Sequence, residues 1–312
     1  MEKMRTRVYT DLTNYEIEQY LKRSDVIIIP VGNAETHAGY PVDAEYVMVE
    51  GYARLLAERV DGLMLPNVVY FNPGGTQIGR GTIHMSMTES FRYTKELAYS
   101  LLNQGFKRQI WIPSHVPTSN FLLAMVTEFF DETKVPMLFL DIGAYLENVG
   151  ATLSMPELFS GKKAHIASGE EVNTLDDWMI GSYKLAGRLN AIPAKGEVDF
   201  PPAPPAEGIF PNWFPEYDIL GKCCRTMGAP APFYYAHPDE HIGPPVAQFT
   251  REELEHHADI GIQYMNESLD KAQLDRLKQA FTHLQEYMEE VVGKNYDHLP
   301  KNPYSSVSPF SR

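Results

Sequence analysis

The chain has 312 residues, 44% of them hydrophobic and 22% charged, with a formal net charge of −14 and a pI near 5.2. That length buries a full core, while the acidic balance argues against nucleic acid and anionic membrane as partners, since both reward basic patches. No stretch approaches the ~20 apolar residues of a membrane span, the first residues lack the apolar centre of a signal peptide, and the two cysteines, Cys223 and Cys224, are adjacent, a spacing that disulfide geometry fits badly. The expected compartment is the reducing cytoplasm.

Taken in chain order, Thr13 and Glu16 form a capping box that opens a helix from Asn14 to about Lys22. Val26 to Pro30 reads as a strand buried on both faces, because four β-branched apolar residues run without alternation. An acidic loop follows. Met48, Tyr52, Leu55 and Leu56 then recur at helical spacing and predict an amphipathic helix over 45–60. Leu63 to Tyr70 is expected to be a strand, and 72–82, rich in glycine, a loop. Ser86 and Glu89 form a second expected capping box for a helix to about Asn103, stopped at Gly105. Strand Gln109 to Ile112, loop 113–120, a helix near 120–131 and strand Met137 to Leu140 complete the alternation. Such alternation predicts an α/β protein with a mainly parallel central sheet and helices on both faces.

The segment 193–245 breaks the pattern. It holds about half of the 23 prolines together with Phe200, Phe210, Trp213, Phe214, Phe233, Tyr234 and Tyr235. A stretch so long and irregular inside a domain is a lid, a binding loop or a subunit arm. Two helices are expected over 250–293, the first opened by a Thr250–Glu253 capping box, and 294–312 is read as a surface tail. The organisation expected is one domain over 1–293 carrying the 193–245 insertion.

Chemistry-bearing residues gather where the strands end. Glu35 and His37 follow the first buried strand directly, with Asp43 and Glu45 shortly after. In an open α/β sheet, ligands bind just past the carboxyl ends of the strands. Carboxylate oxygen and imidazole nitrogen are the donors preferred by zinc, manganese and iron. His115 stands after the buried strand Gln109 to Ile112, so two strands of one sheet deliver Glu35, His37 and His115 to one edge. A further cluster, HPDEH at 237–241, makes His237 and His241 candidates for a substrate contact or a general acid. Trp213 and Tyr234 offer flat faces with polar tips, suited to gripping a small polar ring.

PVGNAETHAGYP resembles the signature of the creatininase (creatinine amidohydrolase) family, in which a strand ending in Pro-Val-Gly precedes Glu-x-His. AEYVMVEGYARLLAER, RGTI at 80–83, NQGFKRQIWIPSH, SGEEVNT and GPPVAQ are similar to later family segments in the same order, from residue 12 to about 265. The resemblance implies a three-layer creatininase-like fold and a hydrolase with one or two divalent ions, zinc, manganese or iron. It also implies a small-molecule substrate and a homo-oligomer, usually a hexamer. By position, Glu35, His37, Glu45 and His115 match family metal ligands, and Glu170 matches the glutamate after Ala-Gly. His165 matches the histidine of His-Ala-Gly and would be catalytic. Among the late acids the resemblance selects Glu45.

The departures are specific. The loop from His37 to Glu45 is one residue shorter than usual, Tyr40 stands where the family commonly has a second His, and the creatinine-type Glu two residues after His115 is missing. The leading expectation is hydrolytic opening of a small cyclic amide by a metal-activated water. The alternatives are ring-opening C–C hydrolysis of an inositol-derived cyclic diketone and a non-catalytic binding protein with a degenerate site.

Overall fold

The computed structural model describes residues 4–37, 39–74, 81–114, 116–154, 157, 162–199 and 248–292. The insertion beyond residue 199 and the tail from 294 lie outside them. The described helices are α1 (Asn14–Leu21), α2 (Ala44–Arg59), α3 (Met87–Asn103), α4 (Val116–Thr133), α5 (Ile142–Asn148), α6 (Thr174–Leu185), α7 (Arg251–Lys271) and α8 (Leu274–Tyr287). The strands are β1 (Val26–Val31), β2 (Leu63–Met64), β3 (Arg108–Pro113), β4 (Leu138–Phe139), β5 (Ala164–His165) and β6 (Glu171–Val172).

Strands β1 to β4 form one sheet in the order β2-β1-β3-β4, and every pairing in it is parallel. The alternating faces of β1 feed two cores. Val26 and Ile28, with Ile110 and Ile112 of β3, pack against Tyr52, Leu56, Leu146 and Met265 from α2, α5 and α7. Ile27, Ile29, Val31 and Trp111 pack on the other side against Tyr20, Leu101, Phe121 and Phe129 from α1, α3 and α4. All six residues of β1 are buried, which explains why its apolar run shows no alternation. Each such side chain contributes about 1.5–3 kcal/mol of burial. The result is the three-layer α/β arrangement that strand–helix alternation predicts.

Local signals set most boundaries. Both capping boxes at Thr13–Glu16 and Thr250–Glu253 are present, with side chain and backbone bonded reciprocally. The Ser86 box is only half formed. Ser86 caps the Glu89 amide, but the Glu89 carboxylate pairs with Arg92 instead. The strand expected over Leu63 to Tyr70 stops at Met64, because Pro66 has no amide to donate and Asn67 adopts a left-handed conformation (φ 66°). The segment 113–120, expected to be a loop, already turns into α4 at Val116. Proline is tolerated in a helix's first turn, so Pro117 is no obstacle there.

Helix α6 lies between α2 and α7 at very close range. A Cβ on Gly261 would stand 1.7 Å from the Asp177 carbonyl oxygen, and one on Gly51 would stand 2.1 Å from Ser182 Oγ. Only glycine permits these two contacts, and they make α6 a rigid bar beside the start of α2.

Candidate metal centre

The strand order reverses between β1 and β3, since β2 lies on one side of β1 and β3 on the other. The crevice outside the carboxyl ends of two such strands is the usual ligand site of an open parallel sheet. Chain leaving β1 keeps an extended course. The Gly32 and Ala34 amides donate to Val68 and Val69, and Ile83 donates back to Ala34. This course carries Glu35 and His37 into the crevice, 0% and 6% exposed. The chain then doubles back, closed by a 2.7 Å bond from the Glu35 amide to the Val42 carbonyl, and enters α2 at Ala44.

Gly32 is what lets α2 begin so close to the strand. A Cβ there would lie 2.4 Å from Tyr46 Cα and 2.6 Å from its nitrogen. With glycine in place, Glu45 in the first turn of α2 abuts the strand end. Donor atoms of Glu35, His37 and Glu45 consequently lie within 4.8 Å of one another, and His37 Nδ1 is 4.0 Å from Glu45 Oε1. The His37–Glu45 separation exceeds a hydrogen bond and is compatible with two ligands placed around one ion.

The set is chemically suited to a divalent cation. Two carboxylates and one imidazole match the hard-to-borderline ions zinc, manganese and iron. Buried polar atoms normally have partners. Yet among the described residues Glu45 Oε2, Asn33 Oδ1 and Thr118 Oγ1 are buried without one. Asn33 follows β1 and Thr118 lies in the first turn of α4 after β3. Asp43 is excluded from the set because its carboxylate is committed to Tyr183 and Arg188.

Electrostatics point the same way. Burial pushes the Glu45 carboxyl up to about 7, opposed by a hydrogen bond from Ser114 at the end of β3. In the metal-free protein this raised value makes a testable slope. The unfolded carboxyl titrates near 4.5, so between about 4.5 and 7 the folded state holds a proton that the unfolded state has released. Stability of the metal-free protein therefore falls as pH rises through that window. Thermal melts of chelator-treated Glu45→Gln are expected to show a flatter pH dependence than the parent between pH 5 and 7.5. An identical dependence would mean that Glu45 is not the group responsible.

Of the other residues singled out in the sequence, His115 directly follows Ser114 but lies outside the described residues. So do Trp213, Tyr234, His237 and His241. Glu170 and His165 are described, and the structure does not bring them to the cluster. Glu170 occupies the exposed turn between β5 and β6, bonded by Ser168 Oγ at 2.8 Å and facing His256 at 3.5 Å. His165 is exposed on β5, opposite Glu171.

Sequence reading missed four contributors. Ser114 passes as loop filler, and Asp176 and Asp177 as ordinary acids in a helix's first turn. His257 is 26% exposed and holds the buried Asp177 carboxylate at 2.6 Å through Nδ1.

Fold and crevice together define an α/β protein with a candidate divalent-metal centre at the switch point of a parallel sheet. The chain belongs to the creatininase family. The family model, creatinine amidohydrolase, matches residues 10–174, just over half of the 312. A crystal structure of creatinine amidohydrolase (creatininase) is similar in fold, with a TM-score of 0.55 at 18% identity, covering 89% of this chain and 99% of that one. A tryptophan-to-phenylalanine mutant creatininase gives 0.55 at 16% identity, over 88% and 99%. A glutamate-to-glutamine mutant creatininase of Zn–Zn type gives 0.53 at 15% identity, over 89% and 99%. Among curated proteins none matches the chain by sequence. No described helix is long and apolar enough to cross a membrane.

Proposed function

We propose that this chain is a metal-dependent amidohydrolase that opens a small, polar, cyclic amide, with Glu35, His37 and Glu45 holding a divalent ion. The observation that carries the reading is the convergence of these three side chains within 4.8 Å at the sheet's switch point. Membership of the creatininase family supports the reaction class. A divalent ion in such a place supplies Lewis acidity toward a carbonyl and lowers the pKa of water.

The protein's own groups have separable tasks. Glu35 and His37, fixed by the extended chain after β1, present one oxygen and one nitrogen from a buried position. Below about pH 7 Glu45 holds a proton in the metal-free state and gives it up on binding, so uptake there releases a proton and strengthens with pH. Ser114 orients that carboxylate by a hydrogen bond. Burial of the whole set lowers the local dielectric, which strengthens each interaction with developing charge. We also place His115 in the ligand set, on its position directly after Ser114.

A second reading has one observation in its favour. Where creatinine hydrolases carry a glutamate two residues after this histidine, the chain has Pro117. That change favours a different ring, such as an inositol-derived cyclic diketone opened by C–C hydrolysis. The full chain, loaded with zinc or manganese, should be offered creatinine, other five- and six-membered cyclic amides and cyclic 1,3-diketones, with ring opening followed by chromatography. Turnover of a cyclic amide that Glu35→Gln abolishes is the expected result. Turnover of diketones alone selects the second reading. Inertness of a metal-free chain that Glu35→Gln alters only in stability would make it a binding protein.

A further inference from the structure

Two tyrosine–aspartate hydrogen bonds cross the interface between the metal-site loop and α6 in opposite directions. Tyr40, on the loop, donates its hydroxyl to Asp176 Oδ1 on α6 at 2.9 Å. Tyr183, on α6, donates its hydroxyl to Asp43 Oδ1 on the loop at 2.7 Å. Residues 176 and 183 are seven apart, two helical turns, so they share one face of α6. Tyr40 is three residues after His37, and its amide bonds the His37 carbonyl at 3.0 Å. Asp43 is two residues before Glu45, at the N-cap of α2, where its side chain makes no capping bond.

Both tyrosines of this arrangement are buried, and both aspartates are partly buried and fully engaged. Tyr40 is 8% exposed and Tyr183 is 0%. The second Asp176 oxygen takes the Asn173 side-chain amide at 2.6 Å, and the second Asp43 oxygen pairs with Arg188. Burial holds both phenols above their ordinary range, so both remain donors. Hydrogen bonds to a charged acceptor are about twice as strong as neutral ones. Behind the clasp, α6 is fixed by the glycine contacts at Gly51 and Gly261 and by the Asp177–His257 bond.

We propose that this reciprocal clasp positions the segment from His37 to Glu45 for metal capture, which makes Tyr40, Asp43, Asp176 and Tyr183 positioning residues of the site. The inference builds on the metal reading above. It gives a physical task to Tyr40, the departure from the family pattern that the sequence showed. A shortened loop has less freedom to bring a histidine and a glutamate together by itself. Anchoring it at both flanks to one rigid helix removes the motions that would part them.

The alternative is that the clasp only stabilises the fold, and the two accounts differ in metal affinity. Tyr40→Phe, Tyr183→Phe and the double variant should be titrated with Co²⁺, following its visible absorption, at a temperature where circular dichroism shows each folded. Loss of a partner that orients a ligand costs 10- to 100-fold in metal affinity. About 10-fold weaker binding is expected for each single variant and about 100-fold for the double. Asp176→Asn, which keeps an acceptor oxygen, should recover part of what Asp176→Ala loses. Parental Co²⁺ affinity in folded single variants, whatever their melting temperature, would overturn the clasp while leaving the metal reading intact. A parent chain that binds no Co²⁺ would overturn both.

Discussion

His37→Ala is expected to lose divalent metal by at least about 100-fold in affinity, because even partners that merely orient a ligand are worth 10- to 100-fold. His37 is the one imidazole in the described cluster and supplies the only nitrogen donor within its 4.8 Å span. Alanine leaves two carboxylates near each other in a buried crevice, where like charges oppose joint ionisation. Protein dialysed against zinc or manganese without chelators, then measured by elemental analysis, should fall from stoichiometric to near-background content. His256→Ala, on an exposed side chain of α7, serves as the control that keeps full content. Repeating the measurement on His115→Ala asks whether the end of β3 completes the ligand set. Full occupancy in both His37→Ala and His115→Ala would sink the centre proposed here.

Gly32→Ala should damage fold and site together. Its Cβ would lie 2.4 Å from Tyr46 Cα and 2.8 Å from Tyr46 Cβ. The nearest atoms are backbone in the first turns of a 16-residue helix, so no side-chain rotation relieves the contact. Either α2 moves away from the sheet or β1 shifts along it. Overpacking of this kind costs about 1–3 kcal/mol and occasionally more, read as a lower urea midpoint with unchanged slope. Because Glu45 precedes Tyr46, any retreat of α2 also withdraws a ligand. Reduced metal content should therefore accompany the stability loss, even under conditions where the protein stays folded. A variant that loses neither would show that the close approach is not needed.

Much of this architecture was legible because its signals are local. The unbroken apolar run Val26 to Ile29 announced a strand covered on both faces, and two reciprocal capping boxes marked helix starts to the residue. Where a competing local interaction existed, the pattern misled. The Ser86 box lost its second bond to an Arg92 ion pair, and Pro66 with Asn67 ended β2 six residues earlier than β-propensity implied. Glu170 was carried into the ligand set by resemblance alone, and it stands in an exposed turn, not in the described cluster.

The sequence by itself determined that acids and a histidine stand at the end of a buried parallel strand. Strand burial and helix starts depend on neighbours a few positions away, which any one-dimensional reading contains. The family resemblance selects Glu45 over Asp43, but only the tertiary structure shows the physical reason. Asp43 and Glu45 are two apart and chemically alike, and the choice between them depends on Tyr183 and Arg188, 140 and 145 residues further along the chain. The same holds for Tyr40 and Asp176, brought together across 136 residues. Such pairings depend on how close α6 can approach α2, which the glycines at 51 and 261 set and which no local pattern records.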